Sequence, residues 1–90
     1  MTTRAVEVVV RGRVQGVGFR YATVRQASAL GLAGWVHNEP DAGVRVWAEG
    51  NPASVAALIE WLHDGPTYAS VQSVQVTERE TAGLTGFGVR

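Results

Sequence analysis

Gly12-Arg13-Val14-Gln15-Gly16-Val17-Gly18-Phe19-Arg20 joins a valine-rich strand to a helix through a turn punctuated by glycines, and its reading decides the fold. Gly16 and Gly18 can take backbone angles closed to residues with a Cβ, so successive N–H groups can converge on one point. A helix beginning around Gly18 or Phe19 leaves the N–H groups of its first turn without intrahelical partners and puts the positive end of its dipole at the same place. Arg20 adds a full charge there. The expected occupant is an oxyanion. Short glycine turns between strand and helix are also common in their own right, with Arg20 then an ordinary surface residue. The run is neither the phosphate loop that ends in Lys-Ser/Thr nor the dinucleotide fingerprint, whose glycines are spaced differently.

Working outward, Val6, Val8, Val10 and Val14 alternate with Glu7, Arg11 and Arg13 in the period of a strand buried on one face, with Val9 on the wet side. Downstream, Tyr21 to Leu30 is rich in helix formers, Val24, Ala27 and Leu30 fall on one stripe, and Gly31 is placed to stop the helix. Gly34-Trp35-Val36-His37-Asn38 reads as a second strand. The turn residues Pro40-Asp41-Ala42-Gly43 separate it from a third, Val44 to Glu49, whose Val44, Val46 and Ala48 share a face opposite Arg45 and Trp47. Asn51 caps a second helix with Pro52 at its first position, Val55, Leu58, Ile59 and Leu62 form its apolar stripe, and Gly65-Pro66 ends it. Val74 and Val76 mark a fourth strand within Val71 to Glu80, and Phe87 and Val89 alternate as a short C-terminal edge strand.

This order predicts an α+β fold: a ferredoxin-like sandwich, β-α-β-β-α-β, with two helices on one face of an antiparallel sheet and the short edge strand added. Strands one and two are joined by a helical crossover and must run the same way, so the glycine turn and Asn38 meet at one edge. By parity Asn38 shares the helix-covered face with Val36.

The 90 residues are read as one domain, 1–90, with a small core. Eight arginines balance eight acids and lysine is absent, so there is no global field for a polyanion and any anion site must be local. The absence of cysteine excludes disulfides, thiolate nucleophiles and thiolate metal sites, and two histidines, His37 and His63, do not make a zinc site by themselves. No apolar run approaches the roughly 20 residues of a membrane span, and no basic region followed by an apolar core opens the chain. A soluble, cytoplasmic, monomeric protein is expected. Trp61 and His63 on the second helix are read as a packing residue and a favourable partner of the helix dipole.

At this point Gly12 to Arg20 resembles the first signature of acylphosphatases, and Gly34-Trp35-Val36-His37-Asn38 continuing to Val44 and Gly50 resembles the second. Gly65-Pro66 followed by Ala69, Val71 and Val74 is similar to the family's last third. The resemblance implies hydrolysis of the carboxyl-phosphate bond of a small-molecule acyl phosphate without a metal or cofactor. It also implies a phosphate-binding loop of Gln15, Gly16, Val17, Gly18, Phe19 and Arg20, with Arg20 holding the phosphate and Asn38 positioning the attacking water. Two positions depart from the family's pattern. His37 stands where a longer side chain is usual and points by parity to the open face. Ala42 stands where the turn usually has glycine, with Gly43 next, which bears on how rigidly Asn38 is held.

The chemistry suits these residues. The leaving group of an acyl phosphate is a carboxylate of pKa about 4 to 4.5, which departs without protonation. The sequence offers no obvious acid or base beside the loop. What remains is positioning and charge stabilisation, by the guanidinium of Arg20 and the loop amides, with a substrate phosphate oxygen as the proton acceptor. Two other readings stand beside this one. Because acylphosphatase-like domains also occur within larger proteins, the chain could be a non-catalytic anion-binding or maturation module. Alternatively, Trp35 and Trp47 with Arg11 and Arg45 on the open sheet face could stack RNA bases. Val9 in strand one, the lack of a connected aromatic track and the neutral net charge weigh against nucleic acid.

Overall fold

The computed structural model describes residues 2–90. Along the chain run β1 (Arg4–Arg13), α1 (Phe19–Ala29), β2 (Ala33–Asn38), β3 (Val44–Gly50), α2 (Pro52–Asp64), β4 (Ser70–Arg79) and β5 (Phe87–Val89). They build a five-stranded sheet in the order β4-β1-β3-β2-β5, with the helices on one face, as the sequence predicts.

The register explains the core. Val6, Val8 and Val10 of β1 stand opposite Ala48, Val46 and Val44 of β3, and all six are fully buried under the helices. A buried valine contributes about 1.5–3 kcal/mol before entropy is counted, so this central pair of strands is the main apolar anchor. From above, α2 adds Val55, Leu58 and Leu62, with Asn51 capping it by accepting the Ala53 N–H at 2.9 Å.

Two expectations shift. In α1 the buried residues are Phe19, Ala22, Thr23 and Ala27, whereas Val24 and Leu30 are only partly covered. The helix is anchored by Phe19 at its first position, and Thr23 tolerates full burial because its hydroxyl donates to the Phe19 carbonyl at 2.8 Å. Gly31, at φ 73°, ends the helix as expected. In β4, the extra residue Gln72 opposite Arg11 and Gly12 reverses the alternation, so Val71 as well as Val74 packs on the core. Val76 lies farther along this edge strand and remains 36% exposed.

The four longer strands are mutually antiparallel neighbours, and β5 pairs parallel to β2. The direction follows from the route of the chain. β4 runs down one edge of the sheet, residues 80–86 cross its lower end, and β5 must then climb the other edge beside β2. Glu49, at the lower end of β3, receives this crossing: it accepts the N–H groups of Ala82 and Gly83 at 3.2 and 3.1 Å and the Trp47 indole N–H at 2.9 Å. At the upper end three connections gather, β1 to α1, β2 to β3 and α2 to β4.

Candidate active site

The first of these connections is the glycine loop. Gly16 and Gly18 adopt left-handed φ angles of 74° and 78°, and beyond their chain neighbours no atom of the described residues lies within 4 Å of where a Cβ would stand. Backbone conformation rather than crowding therefore selects glycine at both positions. Gly18 is the N-cap of α1 and offers no side chain to cap it. Among the described residues, no acceptor takes the N–H groups of residues 16–21, and the first helical bond runs from Ala22 to the Gly18 carbonyl at 3.0 Å. Unspent donors and the positive end of the α1 dipole thus coincide.

Arg20 and Asn38 reach the same recess from the first turn of α1 and the last residue of β2. Its volume is about 180 Å³, and it is lined by Val14, Gly16, Gly18, Phe19, Arg20, Tyr21 and Asn38. Arg20 takes part in none of the ion pairs among the described residues, and the Asn38 amide makes no hydrogen bond to them. One free cation and one free amide therefore face one space. Two residues of the expected loop do not line it. Val17 borders a larger recess next door, and Gln15 sends its side-chain amide sideways, donating to the carbonyls of Glu39 and Gly43 at 2.9 Å each.

The turn after Asn38 is closed by the Glu39 N–H to the Gly43 carbonyl at 2.8 Å and the Ala42 N–H to the Glu39 carbonyl at 3.2 Å. Ala42 takes φ 75°, the left-handed conformation in which glycine would be unstrained, and is the one non-glycine residue among those described to do so. The turn keeps the shape that glycine would adopt.

Acidic side chains flank this turn but are held by cations. Arg45, and after it His37, keeps the Glu39 carboxyl below its ordinary value, through contacts of 2.5 and 3.1 Å. The Asp41 carboxyl is lowered first by the Gly43 N–H and then by its ion pair with Arg11. Both negative charges are thereby partnered beside a site built for an anion. No three His, Cys, Asp or Glu side chains gather among the described residues, so the donor set for a protein-held metal is not there.

The open face departs from the sequence reading in one respect. Trp47, Trp35 and His37 form a connected stack with centroid separations of 6.3 and 4.9 Å, and the Arg90 guanidinium lies 4.7 Å from the Trp35 ring. The β2–β3 register sets Trp35 directly across from Trp47 and His37 from Arg45, which parity alone does not reveal. Three cations of this face are tied to carboxylates, Arg45 to Glu7 and Glu39, Arg79 to Glu7, Arg11 to Asp41, whereas Arg90 over Trp35 joins no ion pair among the described residues. On α2, Trp61 packs against Phe19 at 5.9 Å between centroids, and His63 Nδ1 lies 2.9 Å from the Ile59 carbonyl.

Val14 and Tyr21 line the recess but lie outside the expected site, Val14 reading in the sequence as strand core. Tyr21 enters the sequence reading only as the start of the helical segment, although its place directly after Arg20 is a signal that the first helical turn could contribute it. Similarity to known proteins extends over nearly the whole chain. A family profile described as acylphosphatase matches residues 6–89. An acylphosphatase of Nocardioides sp. is 55% identical over 86 residues, covering 96% of this chain and 87% of that one. The crystal structure of acylphosphatase from Bacillus subtilis superposes with a TM-score of 0.93 at 36% identity, over 97% of this chain and 98% of that one. An acylphosphatase structure from Coxiella burnetii gives a TM-score of 0.94 at 38% identity, over 98% and 93%.

Proposed function

This chain belongs to the acylphosphatase family, and we propose that the recess between its glycine loop and Asn38 is where it hydrolyses the carboxyl-phosphate bond of acyl phosphates. The activity follows from family membership; the assignment of individual residues is our own reading. The observation that carries it is the convergence of one unpaired guanidinium, a turn of unspent N–H groups and one free amide on a single space.

In this mechanism the loop amides of residues 16–21 and Arg20 hold the phosphoryl oxygens, where charge gathers as the P–O bond to the acyl group breaks. Asn38 donates to and accepts from the attacking water without changing its own charge. Oxygen of the water bonds to phosphorus, the bond to the carboxylate oxygen breaks, and a phosphate oxygen takes the water's proton. The carboxylate leaves unprotonated. Arg20 supplies the cation that a metal supplies elsewhere, so chelators leave the rate unchanged. The same proposal takes residues 1–90 as one monomeric, cytoplasmic domain with no nucleic-acid partner; the pairing of Arg11, Arg45 and Arg79 with carboxylates supports that last point.

The two site residues should fail differently. Free phosphate at about a hundred times its Kd stabilises the wild type by about 2.7 kcal/mol, a melting shift on the order of ten degrees. Arg20→Ala loses both shift and turnover. Asn38→Ala loses about 10²-fold in turnover and keeps most of the shift. Full phosphate protection of Arg20→Ala would place the anion elsewhere, and wild-type turnover of Asn38→Ala would leave that residue a strand end only. A wild type that binds phosphate but turns over neither acetyl nor benzoyl phosphate would be a non-catalytic module.

A further inference from the structure

The larger recess beside the phosphate site has a volume of about 560 Å³ and contains neither Arg20 nor Asn38. It shares Gly18 and Tyr21 with the smaller one, so the two adjoin. Its lining is mostly apolar, with Val17 and Val24 on one side and Pro66 and Tyr68 on the other. Tyr21 and Tyr68 are 75% and 81% exposed, more than any other large hydrophobic side chain among those described, and both stand on this recess.

The two elements that wall it are packed together at their bases. Phe19, wholly buried at the start of α1, packs on Trp61 of α2, and a Cβ at Gly65 would come within 2.9 Å of the Phe19 ring. The turn after Gly65 is closed by the Ala69 N–H to the Pro66 carbonyl at 3.0 Å. The loop that carries Tyr68 is thereby packed against the element that carries Tyr21, across an open gap.

We propose that this recess receives the acyl half of the substrate and that Tyr68 with Tyr21 selects acyl phosphates with a flat aromatic acyl group. The inference rests on the phosphate assignment above. In-line displacement puts the attacking water and the leaving carboxylate on opposite sides of phosphorus. With the water at Asn38, the acyl group departs from the side away from Asn38, and the larger recess, which borders the loop at Gly18 and Tyr21 and is not lined by Asn38, is the neighbouring space that can take it. An aryl group in it covers two aromatic faces otherwise left in water, while an acetyl group has no ring to lay against them.

The test is the ratio of kcat/KM for benzoyl phosphate to that for acetyl phosphate. Tyr68→Ala should lower the ratio about three- to tenfold, mainly through KM for benzoyl phosphate, and Tyr68→Phe, which keeps the ring, should restore it. Because Tyr68 is exposed, both variants should melt with the wild type, and a melting curve in phosphate reports the phosphate site separately. An unchanged ratio in Tyr68→Ala, with phosphate protection intact, overturns the acyl recess and leaves the phosphate assignment standing. Loss of phosphate protection in Tyr68→Ala overturns it too, since Tyr68 would then serve the phosphate site.

Discussion

Gln15 bridges to Glu39, the residue after Asn38: its Nε2 donates to the Glu39 carbonyl at 2.9 Å and, with its second hydrogen, to the Gly43 carbonyl at 2.9 Å. The glycine loop and the turn at the end of β2 are therefore one unit, joined by a half-buried amide.

Gln15→Ala should loosen Asn38 relative to the loop. Both carbonyls keep a second donor, the Ala42 and Glu39 N–H groups, so the stability cost is modest, about 1–2 kcal/mol. Turnover should fall about tenfold while phosphate protection is largely kept, since a small misplacement of a positioned group is costly to rate. Gln15→Glu, which presents a carboxylate to two carbonyls, should be worse. Wild-type kcat in Gln15→Ala would show that the bridge does not position Asn38.

Ala42→Gly should stabilise the protein. A left-handed alanine costs about 1–2 kcal/mol, and glycine gives back about 0.4–1 kcal/mol through the freer unfolded chain. A net gain of up to about 1 kcal/mol corresponds to a rise in Tm of a few degrees. A lower Tm would mean that the φ of 75° carries no strain here.

Glu49 should matter to stability and not to chemistry. The residue is 5% exposed and its carboxylate accepts three N–H groups, two of them from the segment that crosses to β5. Glu49→Ala should cost about 2–4 kcal/mol and speed amide exchange in residues 80–86, with turnover kept at temperatures where the variant is folded, because the site lies at the opposite end of the sheet. Unchanged exchange in that segment would refute the anchoring role.

Acid should weaken the β2–β3 turn and the β4–β1 edge at Glu78. The Glu39, Asp41 and Glu78 carboxyls are each lowered, by Arg45, by the Gly43 N–H and by Arg4 first, respectively. A lowered folded value means that the stabilisation is fully present above the unfolded values, about 3.9–4.3, and is lost as pH falls through the folded ones. Tm should be level above about pH 5 and drop below about pH 4. Glu39→Gln should show a shallower drop; a drop as steep as the wild type's would remove Glu39 from the account.

Local regularities were legible in the sequence because they are properties of neighbouring residues. The alternation of Val6, Val8 and Val10 is a strand's own period, Gly16 and Gly18 answer a backbone conformation, and Asn51-Pro52 starts a helix by capping chemistry within one turn. The crossover between β1 and β2 then carried the glycine loop and Asn38 to one edge from topology alone. Other features required the packed sheet, because they depend on which distant residues the register and the connections bring together. The reach of Gln15 across to Glu39 and Gly43, the extra residue Gln72 that turns Val71 inward, the Trp47–Trp35–His37 stack and the hold of Glu49 on Ala82 and Gly83 are all of this kind. Tyr21 and Tyr68 come to border one recess for the same reason: the α2–β4 loop is delivered to the upper end only by the antiparallel pairing of β4 with β1, and no local pattern records that pairing.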